Sequence, residues 1–473
     1  MSLFPLESFP TGRPAAIDDA GRELSYGALL ETTAAFAKSA PPKTVALVLT
    51  RNSLGCIAAI VAMLRHGVVP ILLDAGASGE TIDRYVIRYR PELLVVPAGM
   101  EDQRPDYAGL LRIMDYAMLA ARNDSEIPPL HEDLALLLGT SGSTGSPKLV
   151  RQSRRNLQAN AEAIAAYLRI TPDDRPITSL PLHYTYGFSV FSSHVHAGAT
   201  LLVTERSVME KPFWQFLAEA RGSSLAGVPY TYQMLQRLGF ARKAPGSLRT
   251  LTQAGGKLSE ALIKEFAEYA ARVGIDFYVM YGQAEATARM SYVPSERALE
   301  KAGSIGVAIP GGELFLVDEE GHEIAQVGIE GQLGYRGPNV TMGYAEHRAD
   351  LCKGDERNGV LLTGDLARRD VDGYYYVTGR LSRIVKLFGK RVSLEDLEQI
   401  CLDVVAEAAC SGIDDRVTVW ITDGRRQAEL PRFLAERTAI HASAYQVRVV
   451  SKLPRTAAGK IDYRALSVEE VSA

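Results

Sequence analysis

The sequence predicts an α/β protein of more than one domain, and three observations lead to this expectation. The chain has 473 residues, which exceeds the ~250–300 residues at which a single hydrophobic core stops growing. From Lys43 onward, short apolar runs alternate with stretches of helix length, a pattern typical of a largely parallel sheet with helices. Near Gly303 this alternation gives way to a glycine-rich segment with short alternating runs. We therefore expect a large α/β domain followed by smaller regions of different secondary structure.

Two stretches of the chain carry the alternation. The first predicts strands at 43–50, 68–73 and 92–96, and helices at 53–66 and 79–90. The second predicts strands at 199–203, 223–228, 247–254 and 276–280, and helices at 211–222, 230–239 and 259–273. The last of these helices has Ser259 as its N-cap and ends before Gly274, and both residue types are typical of helix ends.

The last third of the chain has a different pattern. Residues 303–338 predict antiparallel hairpins or a small barrel, because short alternating runs there are separated by glycines and a DEEG turn. Past Gly379 the pattern is mixed α+β, with a helix expected at 394–409, a strand at 416–422 and a second helix at 430–438. We expect the boundary between a large and a small domain at 380–383.

Composition and charge narrow the class of protein. A formal net charge of -4 with no long Lys/Arg run argues against a nucleic-acid partner or a polybasic membrane surface. The four cysteines form no CxxC pair, which fits a reduced, cytoplasmic protein. The N-terminus lacks the basic start and long apolar stretch of a signal peptide, and the most apolar window, 56–73, contains Arg65 and His66. We expect a soluble cytoplasmic protein without nucleic-acid or membrane partners.

The sharpest local motif is LLLGTSGSTGSPKLV at 136–150, in which an apolar run leads directly into a Ser/Thr/Gly-rich loop. Glycines allow backbone N–H groups to form an anion nest, hydroxyls donate further hydrogen bonds, and Lys148 adds positive charge. No GxxxxGK[ST] spacing fits, so this is not a Walker A loop. A flexible Ser/Gly linker is the alternative, but linkers seldom follow a buried strand. The motif predicts a phosphate-binding loop.

Two glycine-containing loops follow predicted strands of the second stretch. One contains Ala254, Gly255 and Gly256, and the other is the segment YGQAE, Tyr281 to Glu285. Ligands of open parallel sheets bind beyond the carboxyl ends of the strands. We therefore expect a pocket there, with Glu285 as a candidate magnesium ligand, although a lone glutamate is more often an ordinary exposed carboxylate.

Three further residues are candidates for the same chemistry. Asp365 follows a strand-like run and would hydrogen-bond sugar hydroxyls, and Arg380 would reach the same sugar. Hairpin turns with surface charges are the alternative reading of this segment. Lys460 lies in a glycine-containing segment, PRTAAGKIDY, near the C-terminus, where a lone lysine is usually only solvated.

Together these segments resemble, in order, the core motifs of the adenylate-forming superfamily, which comprises acyl- and aryl-CoA synthetases, peptide-synthetase adenylation domains and firefly-type luciferases. The resemblance covers about residues 20 to 465 and adds PLHYTYGF (181–188), Val228-Pro229 and GQLGYRGPNVTMGY (331–344). It implies an α/β fold with a large N-terminal domain, 1–380, of two doubly wound sheets plus a small β-barrel. A small, mobile α+β domain, 381–473, would follow and carry Lys460.

The resemblance also implies a mechanism with ATP, Mg²⁺ and coenzyme A. Lys460 would bridge the substrate carboxylate and the α-phosphate, and Glu285 with Thr140 would hold Mg²⁺. The expected phosphate-loop residues are Thr140, Ser141, Gly142, Ser143, Thr144, Gly145 and Lys148. The expected nucleotide residues are Gly256 and Tyr281 beside the adenine, and Asp365 and Arg380 on the ribose, with Gly282 as a further cofactor-binding residue. After rotation about 380–383, Lys386 and Gly389 would line a pantetheine tunnel.

The acid pocket is expected to be of mixed aromatic and apolar character. The expected lining residues are His183, Tyr184, Val228, Ala254, Gly255 and Tyr278. Amino-acid-activating relatives carry an Asp beside this motif, so the substrate is expected to be a small-to-medium carboxylic acid other than an amino acid. His183 has the alternative role of a packed gate residue. His194 and His196 form an HxH pair, but no third ligand accompanies them.

Three positions depart from the family pattern, namely Ala284 in place of Thr, Ser382 at the hinge, and Leu149 after the loop lysine. Because Lys460 and Glu285 remain, the expected function is an ATP-dependent acid–CoA ligase that forms an acyl-adenylate and then an acyl-CoA. Two alternatives stay open. The chain would load the phosphopantetheine of an acyl or aryl carrier protein, or it would be a degraded homologue that binds nucleotide or acyl groups without catalysis.

Overall fold

The computed structural model describes residues 3–122, 128–139, 148–455, 461–463 and 465–466, with the backbone alone at 103, 382 and 391. The chain divides into two compact units. The first unit is Met1–Leu314 with Tyr335–Leu361, and the second unit is Phe315–Gly334 with Leu362–Ala473. This partition differs from the expected division at residue 380, which stays a prediction.

The strands and helices are defined as follows. The strands are β1 (Pro14–Asp18), β2 (Glu23–Ser25), β3 (Val45–Thr50), β4 (Val69–Asp74), β5 (Leu93–Pro97), β6 (Tyr107–Ile113), β7 (Tyr116–Ala121), β8 (Leu134–Gly139), β9 (Leu149–Ser153), β10 (Pro176–Ile177), β11 (Leu201–Val203), β12 (Ser224–Gly227), β13 (Thr250–Gln253), β14 (Asp276–Tyr281), β15 (Ser291–Val293), β16 (Val307–Ala308), β17 (Glu313–Val317), β18 (Glu330–Arg336), β19 (Gly343–Ala345), β20 (Val360–Arg369), β21 (Tyr375–Arg380), β22 (Ile384–Leu387), β23 (Lys390–Ser393), β24 (Ala408–Ile413), β25 (Arg416–Ile421) and β26 (Tyr445–Val449). The helices are α1 (Tyr26–Ser39), α2 (Leu54–His66), α3 (Gly79–Tyr89), α4 (Arg154–Tyr167), α5 (Thr185–His196), α6 (Lys211–Glu219), α7 (Pro229–Arg237), α8 (Glu260–Val273), α9 (Leu394–Leu402) and α10 (Leu430–Thr438).

The first unit contains the two large sheets that the alternation predicts. The sheet of the first stretch has the order β19-β9-β8-β4-β3-β5-β7-β6, and its centre, β8-β4-β3-β5, is parallel. The sheet of the second stretch has the order β16-β15-β14-β13-β12-β10-β11-β1-β2, with a parallel run from β14 to β1 and antiparallel strands at both edges. The predicted α/β fold is thereby confirmed for both stretches.

Helix α2 lies in the core between these sheets. Eleven of its residues are buried, because the run from Leu54 to Leu64 is apolar or small on every face. The cluster around it contains Val48 of β3 and Leu201 of β11, so both sheets contribute to one core. Ser53 caps the helix through the backbone N–H of Cys56, and Gly67 ends it with a φ of 85°.

The second unit has its own small core. Its segment after residue 379 begins with the β22–β23 hairpin and continues with α9, a three-stranded sheet in the order β24-β25-β26, and α10. One cluster of buried residues joins Leu397 of α9, Val419 of β25 and Leu434 of α10. The segment predicted as hairpins or a small barrel contributes strands to a four-stranded sheet in the order β17-β18-β20-β21, in which β20 and β21 are antiparallel.

One predicted element is wrong. The helix expected at 394–409 ends at Leu402, and residues 408–413 form strand β24 instead. The reason is tertiary pairing, since β24 pairs over its whole length with β25 in an antiparallel hairpin. Among the described residues, no helix is both long enough and apolar enough to span a membrane.

Candidate active site

The predicted phosphate loop follows β8 of the first sheet, but the residues Thr140, Ser141, Gly142, Ser143, Thr144 and Gly145 lie outside the described part of the chain. Strand β8 before it is buried as predicted. Lys148, at the far end of the loop, is described and directly precedes β9. Its Nζ lies 3.7 Å from the centre of the Tyr344 ring, a cation–π contact.

Tyr344 on β19 connects this lysine to the predicted magnesium ligand. The Tyr344 hydroxyl donates a hydrogen bond of 2.7 Å to Oε1 of Glu285. The guanidinium of Arg357 lies 4.7 Å from the same ring. Burial and the neighbouring Glu285 carboxylate raise the pKa of Tyr344 to about 12, so the hydroxyl keeps its proton at neutral pH.

The loop that carries Glu285 is held by its main chain. The carbonyl oxygen of Glu285 accepts hydrogen bonds from the N–H of Thr341 at 3.0 Å, from Oγ1 of Thr341 at 2.9 Å and from Nη1 of Arg357 at 2.9 Å. These bonds fix the loop between β14 and β15 and thereby orient the carboxylate. A fixed carboxylate with hard oxygen atoms is a suitable donor for Mg²⁺.

A cavity of about 440 Å³ lies beside these residues. Its volume is within the range of small-molecule sites. The lining residues that are ionisable or contact Glu285 are Lys148, Tyr344, Glu346, His347, Asp350, Lys353, Glu356 and Arg357. The sequence reasoning missed Tyr344, Thr341 and Arg357, although GQLGYRGPNVTMGY contains the first two and marked their segment as a motif.

The second predicted site lies at the carboxyl ends of β12, β13 and β14. These strands are parallel and in register, with Gly227 beside Gln253 and Gln253 beside Val279. The loops that follow the three strands therefore meet at one edge of the sheet, as the sequence predicts. The first loop begins with Val228 and the second with Ala254.

The second of these loops approaches Tyr184 closely. Gly255 has a φ of 84°, and a Cβ there would lie 2.3 Å from the Tyr184 hydroxyl oxygen. Only glycine fits this approach without displacing the tyrosine. Nε2 of Gln253 donates a hydrogen bond of 2.9 Å to the carbonyl of Gly256 and braces the loop.

The third loop begins with Tyr281 and Gly282. Tyr281 is half-buried, and its hydroxyl accepts a hydrogen bond of 3.3 Å from Nε2 of Gln283. Gly282 lies against the carbonyl of Ala288, where a Cβ would overlap the oxygen. Tyr281 and Gly256 therefore occupy loops at the same sheet edge, and their contact with adenine stays a prediction.

The structure brings most of the predicted acid-binding residues together. Tyr184, Val228, Ala254 and Tyr278 belong to one apolar cluster, which Gly255 joins through Tyr184. His183 directly precedes Tyr184, and its Nδ1 is 3.0 Å from Oγ1 of Thr50, at the end of β3 in the other sheet. Burial lowers the pKa of His183, with the negative charge of Asp74 opposing the shift, so the ring is uncharged at neutral pH.

The second unit contains the predicted ribose and tunnel residues. Asp365 and Arg380 are cross-strand partners on β20 and β21, and Nε of Arg380 lies 2.8 Å from Oδ1 of Asp365. Lys386 is exposed on β22, and Gly389 lies in the two-residue turn between β22 and β23. Both turn residues have positive φ, 49° at Phe388 and 82° at Gly389, as expected of a tight hairpin turn.

Lys460 lies outside the described residues, as do 456–459, whereas Arg455 and Ile461 on either side are described. Arg455 and Ile461 form an antiparallel bridge, so the segment that carries Lys460 begins and ends at paired residues. Beyond it, the Tyr463 hydroxyl donates a hydrogen bond of 3.1 Å to Oε2 of Glu398. Nη2 of Arg383 lies 2.6 Å from Oε1 of Glu398, and its guanidinium stacks 3.8 Å from the Tyr463 ring. Within the second unit, Glu398 thus connects the predicted hinge to the last segment of the chain.

Comparisons with known proteins are consistent with this geometry. The family model described as AMP-binding enzyme matches residues 6–345. A 2-succinylbenzoate–CoA ligase from Bacillus licheniformis is 28% identical over 88% of each chain. An oxalate–CoA ligase from Arabidopsis thaliana is 25% identical over 88% of this chain and 86% of its own.

Solved structures share the fold. ATP-bound MatB from Rhodopseudomonas palustris superposes with a TM-score of 0.82 at 23% identity and covers all of both chains. O-succinylbenzoate coenzyme A synthetase (MenE) from Bacillus subtilis, in complex with ATP and magnesium, gives a TM-score of 0.80 at 24% identity over 98% of each chain. The fold expected from the motifs is confirmed by these likenesses.

Proposed function

Because the chain belongs to the family of AMP-binding enzymes, we propose that it is an ATP-dependent acid–CoA ligase. The observation that carries the proposal is the 28% identity to a CoA ligase over 88% of both chains. The acids named for the relatives, 2-succinylbenzoate and oxalate, both have two carboxyl groups. Dicarboxylic acids therefore belong in the first set of substrates to be tested.

The proposed reaction has two half-reactions. In the first, a carboxylate oxygen attacks the α-phosphorus of ATP, the bond to the β-phosphate breaks, and pyrophosphate leaves. In the second, the thiol sulfur of coenzyme A attacks the acyl carbonyl, the bond to AMP breaks, and the thiol proton passes to solvent. The activation is needed because carboxylate oxygen is a poor leaving group, whereas AMP departs readily.

Residues of the first unit support the first half-reaction. Lys148 at the end of the predicted phosphate loop would contribute positive charge to the phosphates. Glu285, fixed by three hydrogen bonds to its carbonyl, would hold the Mg²⁺ that accompanies ATP and neutralises phosphate charge. The protonated Tyr344 hydroxyl orients that carboxylate from its other side. The cluster of Tyr184, Val228, Ala254 and Tyr278 would surround the acid and exclude water from it.

Residues of the second unit would bind the nucleotide and serve the two half-reactions. Lys460 would stabilise the charge that develops between carboxylate and α-phosphate, and Asp365 with Arg380 would bind the ribose hydroxyls. Lys386 and the open turn at Gly389 would accommodate the pantetheine arm in the second half-reaction. A carrier protein with a phosphopantetheine thiol is the alternative acceptor.

The test is pyrophosphate release with a panel of carboxylic acids, with and without coenzyme A and with a holo carrier protein. Acid-dependent release together with an acyl-CoA product supports the proposal. Release with loading of the carrier protein but no CoA product would instead identify the carrier as acceptor. An absence of release with every acid would indicate a homologue without catalysis and would overturn the proposal.

A further inference from the structure

One buried arginine of the first unit is not accounted for by the proposed chemistry. Arg289 directly follows the Glu285 loop and precedes β15, and only 2% of its surface is exposed. Charged side chains are almost never so deeply buried unless they are paired, because removing a charge from water is costly.

The contacts that Arg289 makes with the described residues are all with uncharged groups. Its Nε donates a hydrogen bond of 3.2 Å to Oγ of Ser189, and its Nη1 donates to the Tyr167 hydroxyl at 3.0 Å and to Sδ of Met280 at 3.2 Å. The guanidinium also lies 5.0 Å from the centre of the Tyr186 ring. Within the described part of the chain, no carboxylate is within ion-pair distance of Arg289, and Nη2 makes no hydrogen bond.

A second buried arginine of the same unit has its charge paired with a carboxylate. Arg151 on β9 has 0% of its surface exposed. It pairs with the Glu356 carboxylate at 2.5 Å and also donates to the carbonyls of Tyr344 and Met342, each at 3.0 Å. Arg151 therefore has the contacts of a structural arginine, whereas among the described residues Arg289 has no such negative partner.

The position of Arg289 is next to the predicted acid site. Tyr167, Tyr186 and Met280, which it contacts, belong to the same cluster as Val228, Ala254 and Tyr278. That cluster lies under the loops at the carboxyl edge of β12, β13 and β14. An acid whose reacting carboxylate lies at this edge would direct its remainder into the cluster and toward the guanidinium.

The other ionisable groups near Arg289 do not supply its counter-charge. Arg289, Asp174 and His194 line a cavity of about 20 Å³, which has room for about one water molecule. Burial lowers the pKa of His194 to about 4, so this ring is neutral at neutral pH. Oδ1 of Asp174 is bound by Arg249 at 2.7 Å and by the Ser223 hydroxyl at 2.9 Å.

We propose that Arg289 binds the second, non-reacting carboxylate of a dicarboxylic acid, and that this contact selects the substrate class. The inference rests on the proposed function and adds to it the residue that distinguishes dicarboxylic from monocarboxylic acids. A carboxylate is the ligand that a guanidinium with unused donors pairs with best, because two parallel N–H···O bonds match its geometry. Bond formation in the reaction is unchanged, since the second carboxylate takes no part in it.

The experiment compares acids that differ only by the second carboxylate, namely succinate with butyrate, glutarate with pentanoate, and 2-succinylbenzoate with 3-benzoylpropanoate. The wild type should show a kcat/KM for pyrophosphate release that is roughly 10- to 150-fold higher for the better dicarboxylic acids, the range of a hydrogen bond to a charged group. Arg289→Gln should lower the kcat/KM of the dicarboxylic acids far more than that of the matched monocarboxylic acids, so that the ratio within each pair falls toward one. Arg289→Lys should retain part of the preference.

The matched control is Arg272→Gln, which removes an exposed arginine of α8 and should leave the preference intact. The proposal is overturned if the wild type does not prefer dicarboxylic acids, or if Arg289→Gln lowers the rates of both acid classes equally, as a structural arginine would. If Arg289→Gln does not fold, the test uses wild type and Arg289→Lys. The proposal then requires that the wild type prefers dicarboxylic acids and that Arg289→Lys reduces this preference; an unreduced preference would overturn it. If no acid releases pyrophosphate, the proposed function fails, and the acid-induced rise in melting temperature of wild type against Arg289→Gln still tests this contact.

Discussion

In the first unit, the carbonyl of Glu285 accepts three hydrogen bonds and its carboxylate accepts a fourth, so the predicted metal ligand is part of a rigid framework. In the second unit, Gly389 lies in a two-residue turn, and a Cβ there would meet no atom within 4 Å. The two regions therefore present their predicted site residues differently. Substitutions in the first unit should change both binding and stability, whereas those at exposed turns of the second unit should change one half-reaction with little loss of stability.

The largest expected effect is that of Lys460→Ala in the second unit. Removing one preorganised charge should lower pyrophosphate release by roughly 10³-fold, while thioester formation from a supplied acyl-adenylate is spared. The control is Lys452→Ala, which removes an exposed lysine of the same C-terminal part of the chain and should leave both rates unchanged. Equal loss of the two half-reactions would contradict the assignment of Lys460 to adenylation alone.

The next effect concerns the stability of the first unit in acid. Because the pKa of His194 is about 4 in the folded chain and 6.5 is its ordinary value, the unfolded chain takes up the proton first as pH falls. The contribution of His194 to the free energy of unfolding should therefore fall by about 3 kcal/mol between pH 6.5 and pH 4. The measurement compares wild type with His194→Gln, whose pH dependence should be flatter by that amount.

The two tryptophans make this measurement specific to a unit. Trp214 of α6 lies in the first unit and Trp420 of β25 lies in the second. In a Trp420→Phe background, the emission of Trp214 reports the first unit, and the reciprocal Trp214→Phe background reports the second. A pH dependence that His194→Gln leaves unchanged in the Trp214 signal would rule out His194 as its cause.

Glu285→Gln tests the framework of the first unit. Loss of the charge should raise the Mg²⁺ concentration that gives half-maximal pyrophosphate release by roughly 10- to 100-fold. Tyr344→Phe is the matched variant, since it removes one hydrogen bond to the same carboxylate and keeps the charge. It should cause the smaller shift, and a larger shift for Tyr344→Phe would contradict the role given to Glu285.

The smallest expected effect is that of a bulky residue at the turn of the second unit. Gly389→Leu should lower the rate of thioester formation by roughly 10-fold and leave pyrophosphate release unchanged, since the added cost lies in passage of the thiol arm. Any L-residue at a φ of 82° is strained. Gly389→Asn is therefore the control, because Asn tolerates this backbone region with a smaller side chain. A proportional drop in pyrophosphate release would contradict the tunnel assignment.

The sequence allowed much of the fold to be predicted, because local patterns determine it. Helix α2 and strands β3 and β4 were visible as an apolar stretch of helix length between two apolar runs. The end of α9 was not visible, since AACSG in β24 has no strand periodicity and forms a strand only through its pairing with β25. When a strand forms because of the strand it pairs with, the residues of its own segment need not show an alternating pattern.

The candidate site was predictable only where a motif carries it. Glu285 and Gly255 follow buried strands and stand in recognisable loops, and the structure places them at sheet edges. Arg289 has no such signal, because a lone arginine after a loop normally suggests a solvated surface charge. Its burial beside Tyr186 and Met280 is a property of tertiary packing.

The docking of the last segment has a practical consequence for handling the protein. Leu466 is buried against Trp420 and Leu453, and Tyr463 contacts the same cluster. A protease that cuts between Arg455 and Ile461 would separate Lys460's segment from the strand before it and release this apolar anchor. The fluorescence of Trp420 would then shift to longer wavelength, so a simple emission spectrum serves as an integrity check for purified samples before any activity is measured.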